Sequence, residues 1–372
     1  MILYITVAAV TVLLAGFVNN HPATQPYNVT RQQMCNRVCL TGIFVILFAL
    51  SAARVNVGND YAKYVEFMHL VNCDSYVPTE IGFNLTVKIL YGLSGFENFL
   101  LVFAFYAFVT VFLFLLAMYE GSDDFPLTFF LFMALGYYFQ TFSTVRYYLA
   151  LAIALYAMKF VLRRQWGRFI VLVLLGSAFH KSLLVVIPLY ILASLPWKKW
   201  QLALAALFCT TFLFLQDFYL KVVVFLYPTY EDTEYLEGGT SYINILRCAA
   251  VLAFAGIVML VNKKQGVFQS RRFWFYFYLD LGALVLYVFC SFLPIISRIG
   301  YYLTVSQILF LPMLLGQITD RRWRKVFRLG VILAAVLYFV MYLSRASNDG
   351  VLILPYKSFF FHDMVNILSD MN

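Results

Sequence analysis

Charge is what this sequence has least of. Only 12% of its 372 residues are Asp, Glu, Lys or Arg, while 63% are hydrophobic. A soluble domain carries about twice that charged fraction, so a soluble globular fold is excluded. No polar stretch is long enough to fold separately, which leaves 1–372 to be read as a single integral membrane domain. Sites for nucleotides and catalytic metals are missing too. There is no Walker loop, dinucleotide fingerprint, H-E-x-x-H, G-x-S-x-G or D-x-D pair. Those absences argue against a nucleotide-driven pump and against a metal-dependent transferase fed by nucleotide sugars. Cysteine is sparse, at Cys35, Cys39, Cys73, Cys209, Cys248 and Cys290, and forms no C-x-x-C pair. Most of these residues lie in or beside apolar runs and read as small apolar side chains. We expect no disulfide framework, no zinc site and no cofactor.

What is present is a series of long apolar runs, at about 1–18, 37–53, 97–118, 126–141, 143–162, 199–226, 243–262, 273–293, 299–317 and 326–344. Each is long enough, or nearly so, to cross a hydrocarbon core of about 30 Å. Backbone polar groups in lipid must be satisfied internally, and these runs lack barrel-strand alternation, so they are expected to be helices. The fold class is all-α, a polytopic transmembrane helical bundle of about ten full spans.

The net charge of +9 resides mostly in short loops. That pattern sets membrane orientation and does not imply a nucleic-acid partner. Clusters at Arg31/Arg37, Lys159–Arg168, Lys198/Lys199, Lys263–Arg272 and Arg321–Arg328 are placed in the cytoplasm. The acidic Glu120–Asp124 loop must then share that side, although acidic residues weigh little in the rule. Segment 168–195 has basic ends and is too short for two full spans. It is expected to rise, turn near Phe179-His180-Lys181-Ser182 and return as a pair of short re-entrant helices lining a cavity. On the outside this leaves 54–96, with short amphipathic helices starting near Tyr61 and Ile81, the acidic loop 227–242 and the tail 345–372.

Ionisable groups at membrane depth are costly and usually functional. Arg54, Arg146, Arg247, Arg298 and Arg345 sit at outer span ends, against the positive-inside trend. Arg binds phosphate oxygens in a bidentate fork and stays charged. Arg146 and Arg298, in short turns between long apolar runs, are candidates for anion capture. Arg247 and Arg345 read as snorkelling or ion-paired residues. Asp60 follows Gly58 and precedes a helix, so it is either an N-cap or an outer-face carboxylate acting as base. Glu80 opens the next amphipathic stretch, where the helix dipole favours it in any case; the alternative role is sugar binding. His180 lies at the expected break in a membrane segment and is able to exchange a proton near neutral pH. Tyr61, Tyr64, Tyr301 and Tyr302 suit either sugar stacking or an interfacial belt.

Six short pieces recur in order: Arg54-x-x-x-Gly58-x-Asp60-Tyr61-x-x-Tyr64, Glu80-x-Gly82-Phe83, Ser143-x-x-Arg146-x-x-Leu149-Ala150, Phe179-His180-Lys181-Ser182, Arg298-x-Gly300-Tyr301-Tyr302 and Pro355-Tyr356-Lys357-Ser358. Together they resemble the EpsG family, relatives of the Wzy-type polysaccharide polymerases. Tyr147 stands where that family often has Gln, and Ile81 where it often has Pro. The resemblance implies a fold like lipid-dependent glycosyltransferases of the GT-C type, in a bacterial plasma membrane, with the site facing outward. It implies undecaprenyl-diphosphate-linked oligosaccharides as donor and acceptor, membrane lipid as surroundings, and a flippase and a chain-length regulator as neighbours. Arg146, Arg298 and Arg54 would then hold the diphosphate. His180 or Asp60 would take the acceptor proton, and Glu80, Tyr61, Tyr64 and Tyr301 would orient sugars. Two other classes stay open, a transporter of the same lipid-linked glycan and a membrane O-acyltransferase.

Overall fold

The computed structural model describes residues 1–21, 29–226, 241–261, 270–293, 296–348 and 350–361. It is 76% helical. Among the described residues there is no strand, only an isolated antiparallel bridge between Arg54 and Ser358. The helices run α1 (Ile2–Ala15), α2 (Arg31–Ala52), α3 (Tyr61–Asn72), α4 (Ile81–Ser94), α5 (Phe99–Gly121), α6 (Phe125–Ala134), α7 (Tyr137–Gln140), α8 (Val145–Leu162) and α9 (Trp166–Ser177). A 3-10 turn at Lys181–Val185 leads into α10 (Val186–Ser194), α11 (Lys199–Phe214) and α12 (Gln216–Leu226). The chain ends with α13 (Tyr242–Val261), α14 (Arg271–Phe289), α15 (Ile296–Thr304), α16 (Gln307–Gly316) and α17 (Arg321–Ser344).

Local chemistry sets many of the boundaries. Thr30 and Gln33 form a capping box that starts α2. Asn98 caps α5 by accepting from the Leu101 N–H at 3.0 Å. Asp124 caps α6 in the same way, with Pro126 in the first turn where its missing N–H costs nothing.

Among the described residues, seven helical segments are long and apolar enough to cross a membrane: 31–52, 99–121, 145–162, 242–261, 271–289, 296–316 and 321–344. About ten full spans were expected, and three of those runs are built differently. Run 1–18 yields a helix of 14 residues. Run 126–141 is interrupted at Gly136, and run 199–226 breaks at Leu215 before Asp217 opens α12. Segment 168–195 does break where expected, at Ala178–His180, between α9 and the 3-10 turn. The expected acidic loop 227–242, Lys263, Lys264 and the last tail residues lie mostly outside the described residues.

The chain divides into two compact units, 1–157 with 171–183 and 319–372, and 158–170 with 184–318. In the first, α2 packs along α5, α1 against α2 and α6, and α17 against α6. Its two ends differ. At one end Asn36 holds the Asn19 segment, Asn20 donates to the Ser122 carbonyl, and Arg328 pairs with Asp124 at 2.9 Å. The loops carrying Arg31, Glu120–Asp124 and Arg321–Arg328 therefore lie together. At the other end α2 and α17 finish, α5 and α8 begin, and the sequence motifs collect. The second unit is organised by α14, which packs against α10, α11, α13, α15 and α16.

Candidate functional site

Two glycines bring the motifs of the first unit together. Gly58 has φ +105°, a conformation L side chains rarely adopt. A Cβ there would press on the Phe142 carbonyl, 2.7 Å from its carbon. The Arg54–Tyr64 piece therefore rests on the turn that leads into Arg146. Gly82 does the same for the next pair. Its N–H donates to the Ala178 carbonyl at 2.8 Å, and a Cβ would lie 2.7 Å from that oxygen. The first turn of α4 thus abuts the 178–180 break with no room for a side chain.

That contact places Glu80 between two other motifs. One carboxylate oxygen accepts from the Arg146 guanidinium, and the other accepts from the Lys181 backbone N–H at 3.1 Å. The Arg146 and Glu80 side chains are only 14% and 13% exposed. The guanidinium also lies over the rings of Tyr64, 5.6 Å to the centroid, and Phe83, 5.3 Å. Tyr64 accepts weakly from the Arg146 backbone N–H at 3.5 Å. The buried Arg146 Nε has no hydrogen-bond partner among the described residues.

His180 stands beside this pair. The Ser182 N–H donates to His180 Nδ1 at 3.3 Å, and the Ser182 hydroxyl lies 2.9 Å from the same nitrogen. A backbone N–H donating to Nδ1 favours the neutral tautomer that carries its proton on Nε2. The ring meets Tyr147 edge-on, with centroids 5.5 Å apart. Tyr147, the departure from the family pattern, thereby forms part of the His180 wall. Asp60 occupies the N-cap position of α3, yet its carboxylate makes no capping bond.

Arg54 has a different setting. It is 1% exposed, between the rings of Phe103 at 5.0 Å and Phe142 at 5.2 Å, and it donates to the carbonyl and hydroxyl of Ser51. Burial pulls its pKa below the ordinary guanidinium value, against the opposing influence of Tyr61 and Tyr356 nearby. Tyr61 stacks on Phe103 at 4.5 Å, and burial pushes its phenol up to about 12. The Pro355–Ser358 motif closes this cage. Val55 N–H donates to Lys357 O at 3.0 Å, Phe359 N–H to Ala53 O at 3.0 Å, and the Tyr356 hydroxyl to Leu50 O at 2.9 Å. Arg54 and Tyr61, expected at a ligand, are both enclosed by packing in this conformation.

Arg298 and Tyr301 belong to the second unit, on α15. Arg298 is exposed. The Tyr301 ring faces the Arg247 guanidinium at 6.0 Å. One buried charge in this unit escaped the sequence reading. Asp280 on α14 is 0% exposed and accepts from the Gln307 side-chain amide. The signal was there, since an acid inside a membrane-length apolar helix is rarely incidental.

The protein is a polytopic helical membrane protein whose first unit gathers Arg146, Glu80 and His180 at the end opposite Asp124 and Arg328. The chain belongs to the EpsG family, a Wzy-like polymerase family whose model matches residues 37–358. Membership supports a polymerase role in exopolysaccharide synthesis. No curated protein and no solved structure matches the chain.

Proposed function

We propose that the protein is a glycosyltransferase that joins undecaprenyl-diphosphate-linked oligosaccharide repeat units at the outer face of a bacterial plasma membrane. The observation that carries this reading is the shared carboxylate of Glu80, which ties the Arg146 and His180–Lys181 motifs into one place. Family membership supplies the reaction class. The outer-face assignment draws on the separation of this cluster from Arg31, Arg321 and Arg328, whose loops the positive-inside trend places in the cytoplasm. The amphipathic helix α4 buries Phe83, Val87 and Tyr91 and exposes Ile81, Leu85, Ile89 and Leu93. That exposed apolar face suits contact with lipid.

In the reaction, an acceptor sugar hydroxyl attacks the anomeric carbon of the donor. The bond from that carbon to the diphosphate oxygen breaks, and polyprenyl diphosphate leaves with the electron pair. Arg146, preorganised by Glu80, Tyr64 and Phe83, stabilises the charge that develops on the leaving group. Arg54 serves by fixing the loop that carries Gly58. The motifs around Arg298 and Tyr301 make these two residues further candidates for the diphosphate and for sugar, on the second unit. In this proposal the acceptor proton passes to Asp60, and Glu80 and Tyr64 orient sugars. A flippase supplying the lipid-linked unit and a chain-length regulator are the expected partners.

The test is reconstitution with a lipid-linked repeat unit, followed by gel separation of lipid-linked products. The wild type is expected to build a ladder that correctly folded Arg146→Ala and Arg298→Ala variants do not. If folded wild-type protein leaves its own repeat unit unextended yet moves it across the bilayer, the protein is a transporter.

A further inference from the structure

A second chemical cluster lies at the far end of α3. His69 is in the last turn of that helix and Cys73 is its C-cap. Glu97 comes from the linker between α4 and α5, immediately before the cap Asn98. Both Glu97 oxygens lie 3.0–3.1 Å from His69 Nδ1, and Cys73 Sγ lies 3.8 Å from Nε2. One nitrogen of His69, the Cys73 sulfur and a Glu97 oxygen fall within 4.8 Å of one another. The Asn72 amide donates to Glu97 Oε1 at 2.8 Å and holds the carboxylate in place. A polar cavity of about 480 Å³, lined in part by Asn72, Asp74, Lys88 and Glu97, opens beside the cluster.

We propose that His69, Cys73 and Glu97 bind a divalent transition-metal ion of the zinc class, with the fourth position open to water. The ligand set selects the ion. A thiolate, an imidazole and a carboxylate suit Zn²⁺, whereas Mg²⁺ and Ca²⁺ take oxygen ligands. With bonds of about 2.0–2.3 Å, a tetrahedral site spaces its ligand atoms about 3.5 Å apart. Glu97 and Cys73 now face different nitrogens of the His69 ring, and since one ring nitrogen, the sulfur and one carboxylate oxygen already lie within 4.8 Å of one another, side-chain rotation brings them around an ion. A His69–Glu97 ion pair accounts for two of the three groups. It does not account for the Cys73 sulfur beside the ring, on the one exposed cysteine among the described residues. Asn72 supplies the outer hydrogen bond that metal-ligating carboxylates typically receive. A bound ion would pin the end of α3 to the start of α5. Because α3 also carries Tyr64 against Arg146, the ion would stiffen one wall of the candidate active site. The metal site stands on its own geometry and does not depend on the polymerase reading.

The experiment uses the full chain in lipid nanodiscs, stripped with a chelator and titrated with Co²⁺, whose thiolate charge-transfer band reports a bound sulfur. The background variant has the five other cysteines replaced by Ser and keeps Cys73. We expect one Co²⁺ per chain, a band that Cys73→Ser abolishes, and affinity weakened at least tenfold by His69→Ala or Glu97→Gln. Zn²⁺ should bleach the band by displacement. Absence of the band in a background variant whose melting temperature matches the wild type means an ion pair only and overturns the proposal. Unchanged affinity in His69→Ala and Glu97→Gln also overturns it. If the background variant does not fold, the readout is Zn²⁺-dependent melting of otherwise native protein. A rise in the wild type that Cys73→Ser loses supports the site, and an equal rise in both refutes it.

Discussion

Arg146 donates to the Glu80 carboxylate across 66 positions of sequence, and the other oxygen of that carboxylate receives the Lys181 N–H. A carboxylate shared in this way serves as a hub. It neutralises a largely buried guanidinium and also fixes the backbone that presents His180.

Breaking the hub from one side should cost more than removing it. Glu80→Ala leaves Arg146 largely buried without its counter-ion, a change worth about 3–5 kcal/mol in buried pairs. Glu80→Gln with Arg146→Gln removes both charges and should destabilise less than the two single changes summed. Melting of the four proteins in nanodiscs gives the coupling, and strict additivity would refute the pairing. Polymerisation should fall by about 10²–10³ in Arg146→Ala, the scale for loss of one charge-stabilising group.

Gly82→Ala should act through geometry. The added methyl would sit 2.7 Å from the Ala178 oxygen, so α4 must withdraw from the 178–180 break. We expect folded protein with activity reduced at least tenfold. Gly92→Ala, with nothing within 4 Å of the new methyl, is the control and should keep full activity.

The proton on His180 Nε2 makes a distinguishing prediction. Glutamine places an N–H donor near that position, whereas asparagine mimics Nδ1. His180→Gln should therefore retain more activity than His180→Asn or His180→Ala. If all three are equally dead, donation from Nε2 is not the role of the ring.

Arg54 should reveal itself in folding. With 1% exposure and two flanking rings, Arg54→Ala opens a cavity and frees the Pro355–Ser358 tail. We expect a lower melting temperature and faster proteolysis near residue 350, with donor affinity unchanged in whatever protein remains folded. Selective loss of donor binding at unaltered stability would instead place Arg54 on the diphosphate.

Single cysteines placed at Asp124 and Asn59 should label from opposite sides of the membrane. The Arg328–Asp124 pair and the Gly58–Leu352 hydrogen bond mark the two ends of the first unit. Labelling of both from one side would overturn the assigned orientation.

The long apolar runs were legible because lipid imposes one rule, internal satisfaction of the backbone, on every spanning segment. The starts at Tyr61 and Ile81 and the break near His180 followed from polar residues interrupting those runs. The interruption at Gly136 was not legible, since both flanks are apolar, whereas the one at Leu215 carried a signal in Gln216-Asp217 that the apolar run around it masked. The site was legible as types and order only. Arg54 and Arg146 look alike in sequence, each an arginine at an outer span end. Their settings diverge because Phe103, Phe142 and the returning tail enclose one, while Glu80 faces the other.

By itself, then, the sequence determined the membrane class and the set of chemically capable residues, because these depend on composition and local period. Only the tertiary structure decided which residues meet. Gly82 against Ala178, Tyr147 against His180, and Glu97 against His69 are contacts between segments far apart in the chain. No local pattern encodes them, since each depends on how whole helices pack and how closely two backbones approach.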